Sequence, residues 1–361
     1  MNKIFKNITI YIFIISCLFF ILEIFSRAIF PEFTNNFIET EIKNNHKISL
    51  GKNIYIKKIH NVNFRVAGQN NLEQIDNKKN IWIFGDSVTY GMGNNYTNTF
   101  YFYLKKNLEL ENLQYNILIS GDYGADSEST YNKIKLLEKK FLPEDIIIYQ
   151  FNYNDITKQN EKILKDDNYL IKFIIKTAQF RYEYLNKSTF ISTLSYYAGI
   201  FARKTNGDCD SRGLDALGQY TYAYIGKNYI ETSNNAWKTF ENNIEKISNL
   251  AKKNNLKFLI LISPIPLQIP HHEDNNKLKF DLSCATIDPH KKLISILKNK
   301  KYLYSDPLNL FITSSEINKR ENNNGLLFLK YDDNHPNADG NKLLSISLFH
   351  EVKKIILNSY N

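Results

Sequence analysis

The sequence predicts an α/β protein, a three-layer α/β/α sandwich with a mainly parallel sheet, preceded by one transmembrane helix. Three observations predict it. Short apolar runs have the form of buried strands, segments with helical spacing separate them, and an unbroken apolar stretch lies near the N-terminus. Strands that are apolar along their whole length are buried on both faces, which is typical of a parallel sheet covered by helices.

The composition is that of a folded globular protein. Of its 361 residues, 43% are hydrophobic and 23% are charged, and the formal net charge is +9. The excess positive charge is nearly all Lys scattered among Asn and Ile, without concentration on one element and without a recognisable nucleic-acid-binding module. We therefore expect no nucleic-acid partner.

Residues 1–30 are predicted to be an N-terminal membrane anchor. An apolar run extends from Ile8 to Leu22, and the wider stretch Phe5–Phe25 reaches the roughly 20 residues that cross a bilayer. No small-x-small cleavage site follows this run, which favours an uncleaved signal anchor over a removed signal peptide. A lipoprotein cleavage box ending at Cys17 is the second interpretation.

The charges beside the apolar run predict its orientation. Lys3 and Lys6 precede it and only Arg27 follows it closely, so the positive-inside rule places the N-terminus in the cytoplasm and the remaining chain outside. In such a compartment a disulfide between Cys209 and Cys284 could persist. Two unrelated buried thiols are the alternative, and the sequence leaves both open.

The chain after the anchor is predicted to form a stalk and one domain. Residues 31–80 are polar and Asn-rich, so we expect a stalk that becomes an N-terminal flap around Asn63-Phe64-Arg65. Residues 81–361 are expected to form the α/β domain. Within them, residues 156–229 are too long for a plain crossover and predict a helical insertion, placed either near the site or as packing material.

The strands and helices of this domain alternate along the chain. Strands are predicted at Ile81–Phe84, Asn116–Ile119, Asp145–Phe151 and Phe258–Ile262. Helical spacing recurs over Tyr131–Phe141 and Trp237–Ile247, and a final helix is expected over about Ala338–Leu357.

A serine follows the first predicted strand directly, in Gly85-Asp86-Ser87. Open α/β sheets place their ligand crevice at the carboxyl ends of the strands, so Ser87 would be presented there. Taken alone, this tripeptide is also an ordinary helix N-cap.

A second polar element, Asp332 with His335, precedes the final helix. A Ser hydroxyl is a poor nucleophile until a base takes its proton, and His suits that role at neutral pH. An Asp can accept from the far ring nitrogen and orient the imidazole. We predict that Ser87 is the nucleophile, that His335 is the base, and that the Asp332 carboxylate orients the His335 ring.

Acyl transfer also needs hydrogen-bond donors for the oxyanion that develops on the carbonyl. The candidates are the Ser87 N–H, a Gly N–H from the Gly121–Gly124 turn and the side-chain amide of Asn154. Each of these polar elements follows a predicted strand or precedes the last helix. We therefore expect the fold to bring them to one edge of the sheet.

Together these motifs resemble the SGNH hydrolase superfamily, also called GDSL-type esterases, over about Ile81–Leu357. The resemblance implies the flavodoxin-like SGNH fold and a serine esterase that needs no cofactor and no metal. The positions that match the family blocks are Gly85-Asp86-Ser87 with the nucleophile, Gly124 with the oxyanion glycine, Asn154-Asp155 with the oxyanion asparagine, and Asp332 with His335.

Two positions depart from the family pattern. Asn152 stands where the third block has Gly, and Ile119-Ser120-Gly121 stands where the second block begins with Asn-x-Gly. A register that starts at Asn116 would make Gly121 the oxyanion donor. The spacing to the following helix and strand favours Gly124.

The expected function is hydrolysis of an O-acylated substrate, a small molecule or a glycan, outside the cytoplasm. The alternative is an O-acetyltransferase that modifies a cell-surface or exported polysaccharide, with a multi-span membrane partner supplying the acyl donor. The anchor and Asn63-Phe64-Arg65 resemble membrane-anchored members linked to polysaccharide modification. The run His271-His272-Glu273-Asp274 is interpreted as a solvated loop rather than a metal site.

Overall fold

The computed structural model describes most of the α/β domain and the N-terminal helix. The described residues are 2–29, 40–43, 46–49, 54–67, 79–122, 124–153, 155–156, 188–191, 193–194, 230–269, 289–321, 326–329 and 335–358. The chain divides into two compact units. The smaller comprises Met1–Ile38 and Asn168–Gly207, and the larger comprises Glu39–Asp167 and Asp208–Asn361.

The larger unit holds the sheet and the helices that cover it. Its strands are β1 (Thr40–Lys43), β2 (His46–Ser49), β3 (Ile54–Ile59), β4 (Val62–Ala67), β5 (Asn80–Gly85), β6 (Asn116–Gly121), β7 (Ile146–Phe151), β8 (Lys257–Ile262) and β9 (Leu303–Ser305). With α1 (Asn2–Ile29) in the smaller unit, the helices of the larger one are α2 (Ser87–Tyr90), α3 (Phe100–Leu110), α4 (Ser127–Leu136), α5 (Ile230–Lys253), α6 (Pro289–Asn299), α7 (Leu308–Arg320) and α8 (Ala338–Asn358).

The strands form a mixed sheet whose central part is parallel. Among the described residues, nine strands are joined in the order β1-β2-β3-β4-β6-β5-β7-β8-β9. The strands from β5 to β9 pair in parallel. Their order is that of a doubly wound, flavodoxin-like sheet. This confirms the predicted α/β fold with a mainly parallel sheet.

Two apolar clusters, one on each face of the sheet, make the fold a three-layer sandwich. Trp82 and Phe84 of β5 belong to the cluster that includes side chains of α4, α5 and α6. Ile81 and Ile83 belong to the cluster that includes side chains of α3, α7 and α8. Successive side chains of a strand point to opposite faces, so a strand with two buried faces must be apolar throughout.

Four antiparallel strands occupy part of the range that was predicted to be a stalk and flap. β3 and β4 form a hairpin whose turn residues, His60 and Asn61, have φ angles of 46° and 67°. β4 then pairs with β6, with Arg65 opposite Ile119. The composition of this range did not predict strands, because their pairing partner lies far along the chain and their apolar residues are diluted by Lys and Asn.

A buried aspartate joins the amino ends of β5 and β7, at the edge of the sheet opposite to the candidate site. The Asp145 carboxylate accepts hydrogen bonds from the N–H of Asn80 and the indole N–H of Trp82, both at 2.8 Å, and from the N–H of Leu142 at 3.0 Å. Each buried donor that lost this acceptor would cost about 1–3 kcal/mol. Asp145 therefore fixes the register of β5 and β7 at their amino ends, away from the candidate site.

In the smaller unit, α1 is exposed along an apolar stretch. Residues Ile10–Ile29 are long and apolar enough to cross a membrane by length and composition, a test that signal sequences also pass. Near the end of this stretch, the Glu23 carboxylate accepts hydrogen bonds from the Ser188 hydroxyl at 2.7 Å and from the N–H groups of Thr189 and Phe190 at 3.0 and 3.1 Å. A short helical turn of the insertion thus docks on α1 within this unit.

Candidate active site

A tight turn between β5 and α2 presents Ser87. The Asp86 side chain caps α2 by accepting from the Val88 N–H at 2.8 Å. Gly91 ends the helix with φ 76°, in the left-handed region that glycine adopts without strain. Ser87 is therefore the first helical residue after a buried strand, and it is 6% exposed.

The loop before α8 brings His335 to this serine. The carbonyl of His335 accepts from the Leu329 N–H at 2.8 Å, and the next residue, Pro336, forms a bridge with Phe328. His335 Nε2 lies 2.8 Å from Ser87 Oγ, although the two residues are 248 positions apart. When the hydroxyl donates in this bond, the ring proton is on Nδ1. The structure therefore joins the predicted nucleophile to the predicted base.

Several predicted residues lie outside the described residues. They are Asp332, Asn154, Cys209, Cys284, the segment 271–274 and most of the insertion 156–229. The roles assigned to Asp332 and Asn154, and the pairing of the two cysteines, stay predictions.

The two candidate oxyanion glycines occupy different places after Ser120. Gly121 is the last residue of β6, and a Cβ added to it would lie 2.3 Å from the Tyr90 nitrogen and 2.5 Å from the Asp86 oxygen. Gly121 is thus packed against the backbone of the nucleophile turn. Gly124 lies in the turn that follows and has φ 63°.

The loop after β7 is built around Asp155. Its carboxylate accepts from the Tyr149 hydroxyl at 2.6 Å and from the Asn152 N–H at 3.1 Å. Burial, and then the negative charge of Asp86, raise the pKa of Asp155 well above its ordinary value, although these two hydrogen bonds lower it. Asn152 is not among the described residues with positive φ, so this loop does not require the glycine that the family pattern has there.

A chain of hydrogen bonds ties the same loop to the ends of the neighbouring strands. Gln268 donates from its amide to the Tyr153 oxygen at 2.9 Å, and Tyr153 OH lies 3.0 Å from His290 Nδ1. His290 Nε2 in turn lies 3.0 Å from an Asp306 carboxylate oxygen. This chain of contacts was not predicted from the sequence. The one available signal was that Tyr153 and Gln268 each follow an apolar strand, β7 and β8 respectively.

Comparisons with known proteins return structural similarity only. No protein-family model and no curated protein sequence matches the chain. Similar solved structures include the acetyl xylan esterase AlAXEase, with 15% identity over 76% of this chain and 99% of that chain and a TM-score of 0.41. A lipolytic protein of the G-D-S-L family from Veillonella parvula DSM 2008 has 12% identity over 75% of this chain and 97% of that chain, with a TM-score of 0.41.

A carbohydrate acetylesterase family member from Sinorhizobium meliloti has 11% identity over 77% of this chain and 98% of that chain, with a TM-score of 0.39. These three solved structures are similar to this chain in fold.

Proposed function

We propose that this protein is a serine ester hydrolase that forms an acyl-enzyme with an O-acylated carbohydrate substrate. The observation that supports this most directly is the 2.8 Å hydrogen bond between Ser87 Oγ and His335 Nε2. A Ser hydroxyl becomes a strong nucleophile when a base within hydrogen-bond reach takes its proton. The pair also lies at the carboxyl edge of a parallel sheet, where such folds bind their ligands.

In the proposed reaction, His335 takes the Ser87 proton while Oγ attacks the ester carbonyl carbon. The N–H groups of Ser87 and Gly124 and the side-chain amide of Asn154 stabilise the oxyanion. His335, oriented by Asp332, then protonates the leaving alcohol as its C–O bond breaks, which leaves the acyl group on Ser87. Water that loses a proton to His335 attacks the acyl carbon, releases the carboxylic acid and restores the hydroxyl.

The proposal places this reaction outside the cytoplasm, with α1 as a membrane anchor. The apolar stretch of α1 supports anchoring. The positive charges of Lys3 and Lys6 ahead of it, with only Arg27 close behind, support an external location for the larger unit.

The same acyl-enzyme would serve an O-acetyltransferase if a sugar hydroxyl replaced water in the second step. The residues that form the intermediate are identical in the two reactions, so the acceptor must separate them. A single anchor helix cannot carry an activated acyl group across a bilayer, so a transferase would need a multi-span membrane partner to supply the donor.

The test is ester turnover by the full chain in detergent. It is measured with p-nitrophenyl acetate and with an O-acetylated xylo-oligosaccharide, each with and without an unacetylated acceptor. We expect acetate release, and a loss of about 10³-fold or more in kcat for Ser87→Ala and for His335→Ala.

Ser347→Ala is the matched control, because it removes a serine hydroxyl that is bonded to Ser305 rather than to an imidazole. Its turnover should equal that of the unaltered protein. Full turnover in Ser87→Ala would contradict the proposal. Acetyl transfer to the acceptor that exceeds hydrolysis would replace the hydrolase with the transferase.

A further inference from the structure

An arginine from the antiparallel part of the sheet is bonded to the turn that follows the nucleophile helix. Arg65 of β4 is 2% exposed. Its guanidinium donates to the carbonyl of Tyr90, to that of Gly91 at 3.3 Å and to that of Asn94 at 3.2 Å. The guanidinium carbon also lies 5.0 Å from the centre of the Tyr90 ring. The planar fork thus holds three carbonyls within five residues of one turn.

The same turn reaches the histidine loop through the side chain of Asn94. Its amide nitrogen donates to the Met92 carbonyl at 3.0 Å and to the Pro336 carbonyl at 2.9 Å, so both of its protons are used. Pro336 follows His335 directly in the chain. Asn341 donates to the same Pro336 carbonyl at 3.0 Å. Two buried amides therefore hold the Pro336 carbonyl, one residue after His335 in the chain.

From these contacts we propose that Arg65 and Asn94 are positioning residues for the Ser87–His335 pair. Arg65 holds the turn after α2 in place, and Asn94 connects this turn to the histidine loop. Neither side chain touches the reacting atoms. The inference rests on the proposed function and gives a role to Arg65 of Asn63-Phe64-Arg65, which the reaction itself does not use.

The expected cost follows from geometry. Ser87 and His335 come from opposite ends of the larger unit's sequence, and proton transfer needs their atoms within hydrogen-bond distance. A displacement of about 1 Å in a reacting group can cost about 10²-fold in rate. Loss of the Asn94 donor should therefore lower kcat while KM, which reports substrate contacts, changes little.

The test uses the full chain in detergent with two readouts, ester turnover and the rate at which a fluorophosphonate labels Ser87. Asn94→Asp keeps the shape of the side chain and replaces the donor with an acceptor that faces the Pro336 carbonyl. We expect a 10- to 100-fold slower reaction, about as large as a displacement of the pair would give. For Arg65 we expect ester turnover and the rate of Ser87 labelling to decrease in the order unaltered protein, Arg65→Lys, Arg65→Met. Lys retains the charge and part of the donor set, whereas Met retains neither.

Asn116→Asp is the matched control. It makes the same change in an asparagine whose amide donates to Asn80 at 3.1 Å, at the amino end of β6. In this variant Ser87 should be labelled at the same rate as in the unaltered protein, and the melting temperature should be comparable. The inference would be overturned if Asn94→Asp labelled as fast as the unaltered protein, or if Asn116→Asp were slowed as much as Asn94→Asp. If Asn94→Asp does not fold, Arg65→Lys provides the same comparison. No labelling of Ser87 in the unaltered protein would overturn the proposed function and this inference with it.

Discussion

At the residue scale, Ser87 and His335 illustrate what a sequence can predict about a site. Ser87 follows an apolar strand and His335 precedes a final helix, so the topology alone brings both to one edge of the sheet. The contacts by which Arg65 and Asn94 are proposed to position this pair could not be predicted in this way. Asn94 and Pro336 are 242 residues apart, and their bond depends on loop conformations that local patterns do not encode.

The buried Asp155 carboxyl should make stability depend on pH. Because burial raises its pKa in the folded state, folding favours the protonated form. That stabilisation is complete below the ordinary Asp pKa of about 4 and is lost as pH rises through the raised value. In urea unfolding, we expect the stability of Asp155→Asn relative to the unaltered protein to increase from pH 4 to pH 8.

The control for this prediction is Asp339→Asn, which removes an exposed carboxylate whose side chain is 62% accessible. Its stability should run parallel to that of the unaltered protein over the same pH range. Parallel curves for Asp155→Asn as well would show that Asp155 has no raised pKa in the folded protein.

At the scale of elements, the central strands could be predicted and the peripheral ones could not. The predicted runs agree with β5, β6, β7 and β8 to within about two residues at each end. Strands buried on both faces must be apolar throughout, so they stand out in the sequence. The last strand, β9, has three residues and a half-exposed Leu303, so it leaves no apolar run to detect.

The contact between β6 and α2 provides a prediction at this scale. A Cβ on Gly121 would lie 2.3 Å from the Tyr90 nitrogen, against an ordinary contact of 3.4 Å or more, so Gly121→Ala must push α2 away by about 1 Å. We expect kcat to fall by about 10²-fold as Ser87 moves relative to His335. Steady-state ester turnover measures this.

Ile119→Val is the comparison for Gly121→Ala, because it removes one buried methyl group from the same strand and should cost about 0.5–1.5 kcal/mol of stability. It leaves room for α2, so turnover should be retained below the melting temperature. If Gly121→Ala keeps full turnover, then the packing of β6 does not set the position of Ser87.

At the scale of the whole molecule, the order of the strands in the sheet determines the position of the candidate site. The fold class followed from the alternation of apolar strands with amphipathic helices, and the sheet order confirmed it. The antiparallel strands before β5 were not foreseen, because β4 adds to β6 through long-range pairing. One of them, β4, brings Arg65 to the turn after α2, so the range that was expected to be a stalk contributes to the proposed positioning of Ser87.

The central claim is that Ser87 is a nucleophile activated by His335. The most direct measurement is peptide mass spectrometry after brief exposure of the full chain to a fluorophosphonate, with His335→Ala treated in parallel. We expect a single modified peptide containing Ser87 in the unaltered protein, and labelling slowed by about 10³-fold or more in His335→Ala. An adduct on a different serine, or equally fast labelling without the imidazole, would contradict it.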